Sequence, residues 1–248
     1  MNTTSSLGHP SMLSIITKRL GIFAALLVAA FILAGCGNNE PQQRGAFISF
    51  LQTKILDKKG LVFPTMSAED KNAIGSYATH YQIILDFNDN LSEATKVMND
   101  VNGLQSKLSS LKGLQEHWQE LTPLRTSLPE LAQVITSEQQ KAQAARDALK
   151  QSDDLKAVYD QAFAKTVTKP AETFANVLPT LGRTLQAMED FGRFLSDNKA
   201  NIKISGLVAE IQSPALRAQF QKLQKNYMSE AQALVSVAQE VNNLARGE

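Results

Sequence analysis

From Ala73 to Trp118 the chain repeats every seven residues, and that spacing dictates helix. One set of positions reads Ala73, His80, Phe87, Ala94, Val101, Leu108 and Gln115; its companion reads Ser76, Ile83, Asn90, Val97, Leu104, Leu111 and Trp118. Apolar side chains at two positions in each repeat form a seam along one side of a helix, the pattern of a coiled coil. His80, Gln115, Ser76 and Asn90 are its weak points. Unbroken, about 50 residues would make a rod of about 75 Å. Asn102-Gly103 and Lys112-Gly113 are where it could break, because an interior glycine costs about 1 kcal/mol.

Proline and glycine divide the remainder into further helices. Pro41 suits a first helical turn, where its missing N–H costs nothing, and Phe47, Phe50, Leu51 and Leu56 follow at near-helical spacing until Lys58-Lys59-Gly60. Pro64 falls in a connector, and Ser67 is the expected N-cap of the next helix. Pro123 and Pro129 predict a turn, with Ser127 to Glu130 spaced as a capping box. The stretch from Glu138 to Ala148 is rich in Ala and Gln, so it either lies against a close neighbour or projects into solvent. Asp153 and Asp154 sit at a helix start, where the dipole favours acids. Pro170 opens a helix carrying Phe174, Leu178, Leu181, Leu185, Met188 and Leu195, which Pro179 should kink or split. Asn198 to Gln212 reads as a short extended segment or loop. Ser213-Pro214 opens the last helix, with Phe220, Leu223, Tyr227, Leu234, Val237, Val241 and Leu244 on one face.

The fold class expected is therefore all-α: an elongated antiparallel helical bundle with long coiled-coil-like helices. Only 13 Gly and 8 Pro in 248 residues argue against a many-turned β fold. With 25 basic and 24 acidic residues, the chain lacks the positive field of a nucleic-acid binder.

Ahead of this body lies a different kind of segment. Lys18 and Arg19 precede the uncharged apolar run Leu20 to Leu33. Fourteen helical residues rise about 21 Å, short of the roughly 30 Å hydrocarbon layer, so the run reads as a secretory signal rather than a transmembrane anchor. Either Met1 or Met12 could start it. The run ends Leu33-Ala34-Gly35-Cys36, which resembles the lipobox of bacterial lipoproteins, and Cys36 is the chain's only cysteine. The resemblance implies a diacylglycerol on the Cys36 thiol, cleavage before it and acylation of the new amine. Residues 1–35 would be the lipoprotein signal peptide, 36–40 the lipidated cysteine and tether, and 41–248 a periplasmic helical domain. One acyl chain binds a membrane only reversibly; several would anchor the body. Gly37, where an inner-membrane retention signal would place Asp, implies the outer membrane rather than the inner.

No motif for catalysis emerges. One cysteine excludes an internal disulfide and a cysteine-based zinc cluster. Neither His80 nor His117 stands three residues after a glutamate, as a di-iron bundle requires. Glu116, His117 and Glu120 share a helix and read as a solvated face, and His80 as a core histidine. No nucleophile elbow, phosphate loop or dinucleotide fingerprint is present. The expectation is no enzyme, no metal and no cofactor. Phe47, Phe50, Phe63, Tyr77, Tyr81 and Phe87 are concentrated early in the chain. They read as core; the functional alternative is an apolar groove lined by Phe47, Phe50, Tyr77, Tyr81 and Phe87 that takes a lipid tail or a partner's side chains.

Three stretches carry a resemblance: Gln43 to Gln52 (QRGAFISFLQ), Pro64 to Lys71 (PTMSAEDK) and Ala148 to Phe163 (ALKQSDDLKAVYDQAF). They are similar to an uncharacterised enterobacterial YiaF-like lipoprotein family, a domain of unknown function. The resemblance implies a Gram-negative envelope lipoprotein and transfers one position, the lipidated Cys36. The function expected is a non-catalytic interaction or structural module with an envelope protein partner; the alternative is a bundle that binds lipid or a small hydrophobic ligand.

Overall fold

The computed structural model describes residues 39–206 and 208–247. The signal segment, the lipobox Leu33-Ala34-Gly35 and Cys36 lie outside the described residues. Helix α1 (Glu40–Leu51) holds Pro41 in its first turn and runs into one π-turn, Gln52–Leu56. Ser67 caps α2 (Ala68–Ile74): its Oγ accepts from the Asp70 N–H at 3.0 Å while the Ser67 N–H donates to the Asp70 carboxylate at 3.0 Å, a reciprocal capping box.

The seven-residue seam does not make one rod. A 3₁₀ turn at Gly75–Tyr77 separates α2 from α3 (Ala78–Asn90), Leu91 interrupts the run before α4 (Ser92–Leu108), and the chain turns at Ser109-Ser110 into α5 (Leu111–His117). Asn102-Gly103 lies inside α4 and breaks nothing. The turn instead needs Gly113. A Cβ there would stand 1.9 Å from the Lys107 carbonyl oxygen, and the Gly113 N–H donates to the capping Ser110 Oγ at 3.0 Å.

The expected turn at Pro123 and Pro129 is also corrected. After a 3₁₀ turn at Trp118–Glu120, α6 runs unbroken from Leu121 to Asp147 with Pro129 inside it. Ser127 is not a cap; its hydroxyl donates back to the Leu124 carbonyl. Leu121, Leu128, Leu131 and Ile135 are buried on one continuous face, and that burial outweighs the backbone bond Pro129 removes. The Ala- and Gln-rich stretch lies against α3: Asn90 donates to Glu138 across the pair, and Ala142 is buried.

Helix α7 (Asp153–Phe163) starts at Asp153-Asp154 as expected and passes through a second π-turn, Ala164–Thr168, into α8 (Lys169–Asp197). Pro179 does not split α8. The all-α expectation needs one amendment. Ile202–Ser205 (β1) and Val208–Ile211 (β2) pair as an antiparallel hairpin with Ile202 opposite Ile211, both buried. The Ser213 Oγ accepts from the Leu216 N–H to cap α9 (Pro214–Arg246), a helix about 50 Å long.

Helix α8 is the centre of the molecule, packed by α5, α6 and α9. Its neighbours α6 and α9 run antiparallel to it: Thr122 meets Glu189, Gly182 meets Leu128, Arg183 meets Glu230 and Phe191 meets Phe220. Helices α1 and α7 run parallel instead, with Arg44 at 3.5 Å from Asp154 and Lys165 bonded to the Ile55 carbonyl.

Candidate functional site

The early aromatic residues are core. Phe47 and Tyr81 are fully buried, and Phe50 and Phe87 nearly so. Phe47 stacks on Tyr77 at 5.7 Å, Phe50 meets Tyr81 edge-on at 5.1 Å, and Tyr159 of α7 completes the cluster. Each buried hydroxyl has a structural partner: Tyr81 donates to the Pro64 carbonyl at 2.8 Å and Tyr159 to the His80 carbonyl at 2.7 Å. Burial pushes both phenols above their ordinary range. Tyr77 keeps partial exposure; its hydroxyl donates to Glu40 at 2.5 Å, and burial together with that carboxylate pushes it up to about 12. The apolar groove expected of these five residues is thus occupied by their own rings, because α1, α2, α3 and α7 close over them.

His80 is half-buried, as a core histidine should be. The Gln151 side-chain amide lies 3.0 Å from its Nδ1, and burial holds its pKa below 6.5. His117 pairs with Glu120 at 2.9 Å. Among the described residues no group of three His, Cys, Asp or Glu side chains could hold a metal ion, and no described helix is long and apolar enough to cross a membrane.

A different site comes together around α8. Glu189 is 1% exposed. Thr122 and Arg125 of α6 both donate to it, Arg125 through Nε at 2.5 Å, and Arg193 stands 3.8 Å away. Burial alone would raise this carboxyl; the hydrogen bonds and charges of Arg125, Thr122 and Arg193 outweigh it and hold the pKa below 4.5. The Arg193 guanidinium lies over the Trp118 ring at 5.1 Å.

Beside this network opens a cavity of about 580 Å³, with α8 as its floor and α6 and α9 as its walls. Leu128, Pro129, Ala132, Leu178, Pro179 and Gly182 make one end; Arg125, Gln186 and Asn226 make the other, with Arg183 and Glu230 between. Sequence reasoning missed this site. Arg125 and Thr122 stand 64 and 67 residues from Glu189 along the chain, and the one local signal was the pair of prolines inside apolar helical patterns.

The fold and this site define a mostly helical protein with a small two-stranded sheet and a buried ionic network. The chain belongs to the DUF3053 family, proteins of unknown function, whose model matches residues 24–242. It is 30% identical over 183 residues to the uncharacterized protein YiaF of Escherichia coli K12, covering 72% of this chain and 75% of that protein. The same identity and coverage hold for YiaF of Escherichia coli O157:H7 and of Shigella flexneri. No solved structure matches.

Proposed function

We propose that this protein is a membrane-anchored envelope lipoprotein, held by acyl chains on Cys36, whose helical body faces the periplasm from the outer membrane and works as a non-catalytic interaction module for an envelope protein. The observation that carries the reading is the sequence Leu33-Ala34-Gly35-Cys36 at the end of a short apolar run, with the chain's only cysteine at the cleavage position. Its placement agrees with the body: α1 begins at Glu40, so little tether separates lipid from fold. A non-catalytic body is supported by where the buried polar groups are committed. Glu189 is bound by Arg125 and Thr122, Thr184 by the Glu230 carbonyl, and Tyr159 by the His80 carbonyl.

Cys36→Ala tests the anchor. The variant is expected to leave the membrane fraction or to persist as an uncleaved precursor; unchanged mobility and fractionation would overturn the reading. Crosslinking in living cells tests the interaction role, and recovery of no envelope protein above background counts against it. A second reading, a bundle that binds a lipid or small hydrophobic ligand, is favoured by the cavity between α6, α8 and α9 rather than by the aromatic cluster.

A further inference from the structure

Two interior prolines meet at the cavity between α6, α8 and α9. Pro129 and Pro179 each stand inside a long helix. Each removes an N–H that would bond the carbonyl four residues back, those of Arg125 and Ala175, and an interior proline is about 3 kcal/mol less favourable than alanine. Both line this one cavity, together with Gly182 and Ala132, whose small side chains leave the space between the helices open. A Cβ on Gly182 would meet only Leu128 Cδ1, at 3.6 Å. So steric crowding does not require glycine there.

The antiparallel registers order the lining. Level with Gln186 on α8 stand Arg125 and Asn226. Three residues back along α8, Arg183 reaches Glu230 at 3.2 Å and Thr180 at 3.1 Å. A further turn on, level with Leu178, the wall is Ala132, Pro129 and Pro179. The cavity is thus polar at one end, where Arg183 is paired with Glu230 and Arg125 with Glu189, and apolar at the other. Arg125 is pre-oriented, because buried Glu189 fixes its Nε; among the described residues no other acceptor engages its guanidinium. A fixed planar fork with nitrogens to spare is the group that receives carboxylates. The volume lies within the roughly 300–1,000 Å³ of small-molecule sites, which combine apolar walls with a few placed polar groups.

We propose that this cavity binds a single-chain amphiphile with a carboxylate head, the head on Arg125 and Arg183 and the chain along Leu128, Ala132 and Leu178. The site does not depend on the anchor at Cys36.

The test uses the purified full chain, photolabelled with a diazirine-bearing dodecanoate. Label is expected on the peptides that carry Leu128 to Ala132 and Leu178 to Ala187. Dodecanoate should compete at a concentration at least tenfold below dodecanol, and Arg183→Gln should narrow that gap. Gly182→Phe, which fills the cavity, should cut the competable label at least tenfold. Circular dichroism checks its fold; if that changes, the wild-type label map and the acid-against-alcohol comparison decide. Label confined to other peptides, equal competition by acid and alcohol, or undiminished label in a folded Gly182→Phe overturns the proposal.

Discussion

Arg125 of α6 donates through its Nε to the carboxylate of Glu189 on α8 at 2.5 Å, and the acid is almost wholly enclosed. An enclosed pair of this kind adds little over an apolar replacement, but losing one member strands the other. Arg125→Met is therefore expected to cost about 3–5 kcal/mol, read from urea denaturation at pH 7. The pair also sets an acid limb. Because the folded pKa of Glu189 lies below 4.5, its contribution is complete above the unfolded value and is lost as the pH falls through the folded one. Glu189→Gln should flatten the fall of the urea midpoint below about pH 4.5.

Gly192 and Gly182 lie ten residues apart on α8 and should respond to alanine with opposite signs. At Gly192 a Cβ would sit 2.4 Å from Trp118 Cβ and 2.8 Å from the Leu114 carbonyl oxygen. That crowding involves backbone and should cost about 1–3 kcal/mol. At Gly182 the nearest atom is in ordinary contact range, so alanine should stabilise by about 0.5–1 kcal/mol. Thermal unfolding of the two variants checks both signs.

Phe47→Ala separates core from groove. The ring is fully buried among Tyr77, His80 and Tyr159, so its loss should cost about 3–5 kcal/mol in urea denaturation. A cost near zero would return these aromatic residues to the role of an open groove.

His80 gives the fold a second pH dependence. Its Nδ1 accepts from Gln151, and burial holds the folded pKa below 6.5. The unfolded chain therefore takes up the proton first on acidification, and stability is lost as the pH falls through the folded value. The urea midpoint should drop on acidification from pH 7.5 to 5.5, and His80→Gln should reduce that drop.

Local chemistry was legible in the sequence and long-range pairing was not. Ser67, Pro41 and Ser213-Pro214 announce helix starts because capping is settled within four residues. Pro129 misleads for the same reason: the local rule says stop, but the face carried by Leu121, Leu128, Leu131 and Ile135 is settled by contacts with α8, which no local reading supplies. The seam from Ala73 to Trp118 has the right residues for helix, and Phe87 and Leu108 are buried as it requires, but periodicity does not reveal a reversal at Ser109-Ser110. Gly206 marked a break, while Val208 to Ile211 becomes a strand only through its pairing with Ile202 to Ser205. Glu189 reads as one more surface acid until Thr122 and Arg125 arrive from another helix.

Helices α1 and α7 run side by side in the same direction, joined near one end by Arg44 and Asp154 and near the other by the Lys165 ammonium on the Ile55 and Lys58 carbonyls. A tug entering at Asn39 along α1 would slide it lengthwise against α7, loading these ties and the aromatic contacts of Phe47 together instead of peeling them off singly. That part of the body is thus suited to bearing load along the helix axis.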